Sequence, residues 1–159
     1  MEIRPASVAE ELIRTVHHEY AFLAGIPEAL AAEPPGKDRW SIKQTVGHLI
    51  DSASNNHQRM VRLQYTERLR FPDYTKANES WVSIQAYQNE NWQYLLELWK
   101  YFNLHIAHVI QNADGASLLH TWLNDEGEGV SLESMFTGYL EHFALHLRDI
   151  HMMAETNSP

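Results

Sequence analysis

The chain has 159 residues, 44% of them hydrophobic, with 21 Asp+Glu against 12 Lys+Arg for a formal net charge of -9. This length and composition predict one domain, residues 1–159, that buries roughly two-thirds of its unfolded surface around a single core. The acidic balance argues against a surface for nucleic acid or anionic lipid, no apolar run reaches the ~20 residues that span a bilayer, and the absence of cysteine removes disulfides, thiolate ligands and a cysteine nucleophile.

The N-terminal stretch MEIRPASVAEEL has no basic segment followed by an apolar one, which predicts a soluble, cytoplasmic protein. The first helix opens at Ser7, with Glu10 in a capping-box position, sets Val8, Leu12, Val16 and Leu23 on one face, and breaks at Gly25 and Pro27. Pro34, Pro35 and Gly36 keep AAEPPGKDRW out of regular helix. Trp40 then reads as a staple ahead of a second helix that starts at Ser41, has Gln44 as its capping-box partner and runs to about Arg68. The third helix spans about Ser80 to Asn112, on a 3-4 stripe that includes Trp81, Ile84, Leu95, Trp99 and Ile106. LLHTWLN reads as a short extended piece. After DEGEGV a fourth helix begins at Ser131, with Leu132, Phe136, Tyr139, Phe143, Leu147 and Ile150 inward. Four long amphipathic helices in a chain this short predict an all-α four-helix bundle.

The last helix carries EHFALHLRDIHMM, with His142 and His146 four residues apart. With Phe143 at zero, they fall near about -100° and -60°, on one edge of the buried face. Imidazoles at i and i+4 stand one turn apart and can reach one metal ion. Zinc sites generally take at least three protein ligands, and VGHLIDSASNNHQRM in the second helix offers another. There His48, Ser52, Asn55 and Arg59 form a polar stripe about 60° to 120° from Leu49. His48 is the candidate third ligand, and Ser52 or Asn55 would orient a ligand or bound water. Arg59, about three turns along, would anchor a substrate carboxylate. Asp51 points some 60° further round, where solvent competes for it.

Height along the bundle constrains the topology. His48 lies roughly 10 Å from the start of its helix, and His142 and His146 roughly 12 to 18 Å from the end of theirs. They are nearly level only if the second and fourth helices run antiparallel, so one crossover connection is expected. The linker LRFPDYTKANE, at about 3.4 Å per residue, is long enough to make it, as is the linker before the fourth helix.

The segment HLIDSASNNHQR resembles the H-x-x-D-S-x-x-N-x-x-x-R pattern of the YfiT-like branch of the DinB superfamily. The H-x-x-x-H of the fourth helix, the lead-in RWSIKQTVGHL and the acidic, glycine-bearing loop before the last helix share the likeness, which covers most of the chain from about Trp40. The resemblance implies an up-down-down-up four-helix bundle, a divalent ion, often zinc or nickel, on His48, His142 and His146, and a homodimer. It also implies activity on a small-molecule substrate. Members of the superfamily include S-transferases and isomerases that use low-molecular-weight thiols, and this branch carries a metal-dependent hydrolase label. Despite the superfamily's DNA-damage name, nothing in the sequence points to DNA.

Each of these residues also has a plainer reading. Alone, His142 and His146 are hydrogen-bonded histidines on a helix flank, and Ser52, Asn55 and Arg59 an ordinary polar flank or a dimer contact. His105 with His108, and His17 with His18 or His57, lack an ordered pattern and are expected at the surface or in packing. His151, on another face, is expected in solvent. An ion on three histidines keeps an open position, and from it two chemistries follow. A bound water's pKa falls towards ~7 in a hydrolase, or the thiol of a small cofactor is deprotonated in an S-transferase, which fits the lack of cysteine. The rival class is a non-catalytic metal-binding or dimerising bundle, whose site a fourth protein ligand would close. No Asp or Glu on the ligand-bearing stripes stands out as a general base.

Overall fold

The computed structural model describes residues 4–156, and its helices start where the sequence supplies a start signal. Helix α1 (Pro5–Ala24) begins ahead of the expected Ser7, because proline in the first turn gives up an N–H that would have no partner there. After the short α2 (Glu28–Ala31), α3 (Ile42–Leu63) shows both bonds of the expected capping box. Gln44 N–H donates to Ser41 Oγ at 3.2 Å, and Ser41 N–H to Gln44 Oε1 at 3.0 Å. The helix stops at Leu63 rather than Arg68, because Arg68–Arg70 is drawn out as β1 to pair with β2 (Thr121–Leu123).

The expected third helix is in fact several pieces: α4 (Asn78–Ile84), a turn of 3-10 helix (Tyr87–Asn89) and α5 (Trp92–Gln111). Ala86 adopts the left-handed region at φ 51°, and Asn91 caps α5 by accepting from Tyr94 N–H at 3.0 Å. The apolar stripe is therefore interrupted, and Ile84 is 81% exposed rather than core. After β3 (Gly129–Ser131), α6 (Leu132–Thr156) buries all six apolar residues expected on its inner face. Ser131 Oγ accepts from Ser134 N–H at 3.1 Å at its start.

Helices α1, α3, α5 and α6 form the bundle. Tyr20, late in α1, donates to Glu97, early in α5, so these two run antiparallel. His151, late in α6, stacks on Phe22, late in α1, so those run parallel. Thr45, at the start of α3, lines a cavity with Thr156, at the end of α6, while Arg59, late in α3, lines another with Ser134 and Met135, at the start of α6. Helices α3 and α6 therefore run antiparallel, and His48 meets the middle of α6. Helices α3 and α5 are left parallel, which is the up-down-down-up order. The segment between them must return along the bundle, and it lays α4 and Tyr87 over the start of α3. A Cβ on Gly47 would stand 2.2 Å from the Tyr87 ring, so only glycine permits this approach.

Across the bundle Trp99 of α5 stacks on Phe143 of α6 with centroids 5.5 Å apart, and Tyr139 hydroxyl donates to the buried Asn103 Oδ1 at 2.5 Å. Burying a side chain such as Phe143 stabilises by about 1.5–3 kcal/mol. The sheet is ordered β1-β2-β3, with β1 and β2 parallel and β2 and β3 antiparallel, and Leu69, Trp122 and Val130 aligned across it. Two further sequence expectations change. His151 is not simply solvated: besides stacking on Phe22 it pairs with Glu19 at 2.7 Å. Trp40 is more than a staple, since its indole donates to Glu79 at 3.0 Å and its ring lies 5.0 Å from that of His48. No described helix is long and apolar enough to cross a membrane.

Candidate metal centre

The apolar stripes of α3 and α6 face inward, which carries the imidazoles on their flanks to the seam between the two helices. His48 is 2% exposed. Its Nε2 lies 3.4 Å from His142 Nε2, which lies 3.2 Å from His146 Nε2. Ligand atoms of all three fall within 4.8 Å of one another, the one such group among the described residues. At Zn–N distances of about 2.0–2.1 Å, the edge of a tetrahedron is roughly 3.3–3.4 Å. Two of the three separations match that edge, so the residues fit a divalent ion.

The outward nitrogens fit it as well. His146 Nδ1 lies 3.6 Å from Asp149 Oδ2, and His142 Nδ1 lies 3.5 Å from Ser52 Oγ. A carboxylate or hydroxyl hydrogen-bonded behind an imidazole fixes its tautomer and aims the other nitrogen at an ion; Ser52 is at the limit of that distance and Asp149 just beyond it. His48 Nδ1 is buried without a partner, and packing against the Trp40 ring orients this third imidazole. Burial pushes both His48 and His142 down to about 4, with the neighbouring imidazoles adding to the effect. His146 is lowered too, by burial, with Asp149 pulling the other way. All three are thus neutral at pH 7, the state that ligation requires.

The cluster stands between two cavities. His48 and His142 line one of about 260 Å³, and His146 lines another of about 510 Å³ together with Trp40 and Asp149. Ser52 and Arg59, both singled out in the sequence, line the smaller one. Asn55 does not: its side chain bonds back to the Asp51 carbonyl at 2.9 Å, within its own helix. Asp51, expected towards solvent, is 1% exposed and accepts from Tyr87 hydroxyl and Gln85 Nε2, each at 2.6 Å. Burial raises its pKa, and those two bonds lower it. The returning crossover covers the face that the helical wheel assigned to water.

Several residues at the site were not found from the sequence. Asp149 stands three residues after His146, a same-face spacing that could have revealed it. Tyr74 and Trp122 line the smaller cavity from the crossover and from β2, which no helical periodicity reports. Burial pushes the Tyr74 hydroxyl up to about 12, so it remains a donor at neutral pH. Among the described residues, no Asp or Glu lines this cavity. Of the other histidines, His17, His18, His105 and His108 are exposed, and His57 packs against Phe102 and His105.

Comparison with known proteins gives a consistent fold. The family model described as the DinB superfamily matches residues 11–150. The chain is similar in structure to YfiT from Bacillus subtilis, described as a probable metal-dependent hydrolase with an unusual four-helix bundle topology. The TM-score is 0.75 at 17% identity, covering 95% of this chain and 84% of that one. It is also similar to a mycothiol-dependent maleylpyruvate isomerase, with a TM-score of 0.76 at 13% identity, over 93% of this chain but only 61% of that one. No curated protein matches the sequence.

Proposed function

The chain belongs to the DinB superfamily, and from that premise we propose that it is a metal-dependent enzyme whose His48, His142 and His146 hold one divalent ion, zinc or nickel. The convergence of three neutral imidazoles at the wall of a cavity carries this reading. A structural site would be closed by a fourth protein ligand, and no Asp, Glu or further His joins the group among the described residues. When bound, such an ion supplies Lewis acidity that makes water a nucleophile near neutral pH, the hydrolase reading that the likeness to YfiT supports.

The chain's own residues do the positioning. Ser52 stands behind His142 at 3.5 Å, the Asp149 carboxylate lies behind His146 at 3.6 Å, beyond a hydrogen bond but near enough to act on it electrostatically, and Trp40 restrains His48. Tyr74, with its hydroxyl protonated and its ring 6.5 Å from that of His48, donates a hydrogen bond to an oxygen of the substrate as charge develops there. A second reading is that the nucleophile is a low-molecular-weight thiol. The second cavity favours it, because a thiol and an electrophile would approach the cluster from different sides, and the chain has no cysteine of its own. We place the protein in the cytoplasm. We also infer a homodimer, in which the exposed Tyr94, Leu98 and Tyr101 on one face of α5 would meet a second copy.

The test is turnover of small esters and amides by metal-loaded protein, with and without an added small thiol. Tyr74→Phe should lower kcat roughly a hundred- to a thousandfold while metal content stays unchanged. Turnover only with thiol selects the second reading. Loss of metal in Tyr74→Phe would remove Tyr74 from this role.

A further inference from the structure

Arg59 is the one permanently charged residue lining the smaller cavity among the described residues, and it is only 5% exposed. Its environment holds it still without using it up. The guanidinium lies 3.9 Å from the Trp122 ring centroid, and the Trp122 indole is itself fixed by donating to the Phe71 carbonyl at 2.8 Å. One terminal nitrogen donates to the Pro72 carbonyl at 3.2 Å. Asp73 is 3.7 Å away, too far for a hydrogen bond, and the same carboxylate oxygen accepts from Thr75 N–H and hydroxyl. Arg59 Nε is buried without any acceptor. Leaving a buried charged donor unfilled costs more than a neutral one, which favours an anionic partner beside this guanidinium.

The shape of that anion follows from the surroundings. The cavity holds about 260 Å³, the volume of roughly eight or nine waters. A planar guanidinium pinned on an indole matches the planar fork of a carboxylate. At the Arg59 end of the cavity, away from the histidines, one cation partly offset by Asp73 suits a monoanion better than a phosphate dianion. We propose that this cavity binds small organic monocarboxylates, with the acid group on Arg59 and the rest of the molecule directed to the histidine end. The proposal rests on the reading of this cavity as the substrate site and specifies the substrate class.

Titration calorimetry tests it with pentanoate, its neutral analogue pentanamide, and inorganic phosphate. Each is added to metal-loaded and chelator-treated protein, with metal content measured on every sample. Pentanoate should bind with millimolar or tighter Kd and at least about tenfold more tightly than pentanamide or phosphate. Arg59→Met should weaken pentanoate roughly ten- to a hundredfold and leave pentanamide unchanged, and Arg59→Lys should recover only part, for want of the fork. In the chelator-treated protein, equal binding of acid and amide, tighter binding of phosphate, no binding of pentanoate, or indifference to Arg59→Met would overturn the proposal. If Arg59→Met does not fold, the wild-type comparison of acid with amide decides. Pentanoate binding that depends on Arg59 in a protein that takes up no metal would sink the metal reading and leave this one standing.

Discussion

Gly47→Ala adds one methyl group at a place where the structure leaves no room. The new Cβ would stand 2.2, 2.3 and 2.7 Å from Cδ2, Cγ and Cε2 of Tyr87, where carbons normally rest about 3.5–4.0 Å apart. The ring must retreat by at least ~1 Å, yet it is buried and its hydroxyl donates to Asp51 Oδ1 at 2.6 Å. Overpacking costs about 1–3 kcal/mol, and a strained or lost bond to the buried carboxylate about 1.5–3 kcal/mol. The better helix propensity of alanine offsets roughly 1 kcal/mol. A net loss of about 1.5–5 kcal/mol is expected, or roughly 3–20 °C in Tm for a chain of this size. Urea and thermal denaturation of Gly47→Ala should show it. In a Tyr87→Ala background the same substitution should be neutral or slightly stabilising, because the clash has gone. A neutral effect in wild type, or an equal loss in both backgrounds, would refute the role of Gly47 as the seat of the crossover.

Two further perturbations act on the histidines. In metal-free protein, His48 and His142 have folded-state values near 4, below their ordinary 6.5, so the unfolded chain binds protons that the folded one refuses. The stability associated with them is present above about pH 6.5 and lost as pH falls towards about 4; between pH 7.5 and 5 it amounts to about 2 kcal/mol per imidazole as an upper bound. Urea titrations across that range should show a loss of about 2–4 kcal/mol that is at least halved in His48→Gln/His142→Gln, and an equal slope in both proteins would contradict the burial argument. Asp149→Asn removes the carboxylate behind His146 and should weaken metal affinity by about ten- to a hundredfold, measured by competition with a chelating dye; unchanged affinity would mean that Asp149 does not orient the ligand.

The sequence made α3 and α6 legible because their caps and inner stripes are local features, and the two imidazoles on one edge of α6 follow from the helical wheel alone. The antiparallel meeting of His48 with His142 was legible from heights along the helices. Asp51 was misplaced because a wheel knows nothing of what covers a helix: Gln85 and Tyr87 arrive over that face from the crossover. The break in the third helix was hidden by the flanking Trp81 and Ile84, although Asn91 is a good cap and marks it. Trp122 and Tyr74 were invisible for a different reason. Trp122 reaches the cavity through a parallel pairing of Arg68–Arg70 with Thr121–Leu123, strands far apart in the chain and too short for a clear alternation, and Tyr74 from the irregular stretch of the crossover after the first of them.

The measurement that bears most directly on the central claim is metal content by elemental analysis of tag-free protein reconstituted at neutral pH. It would compare wild type with His48→Ala and His142→Ala. The account predicts about one zinc or nickel per chain in wild type and its loss in both variants, with each variant still folded by circular dichroism. A wild type that takes up no metal, or variants that keep it in full, would contradict the account and leave the three histidines as neutral residues at a buried seam.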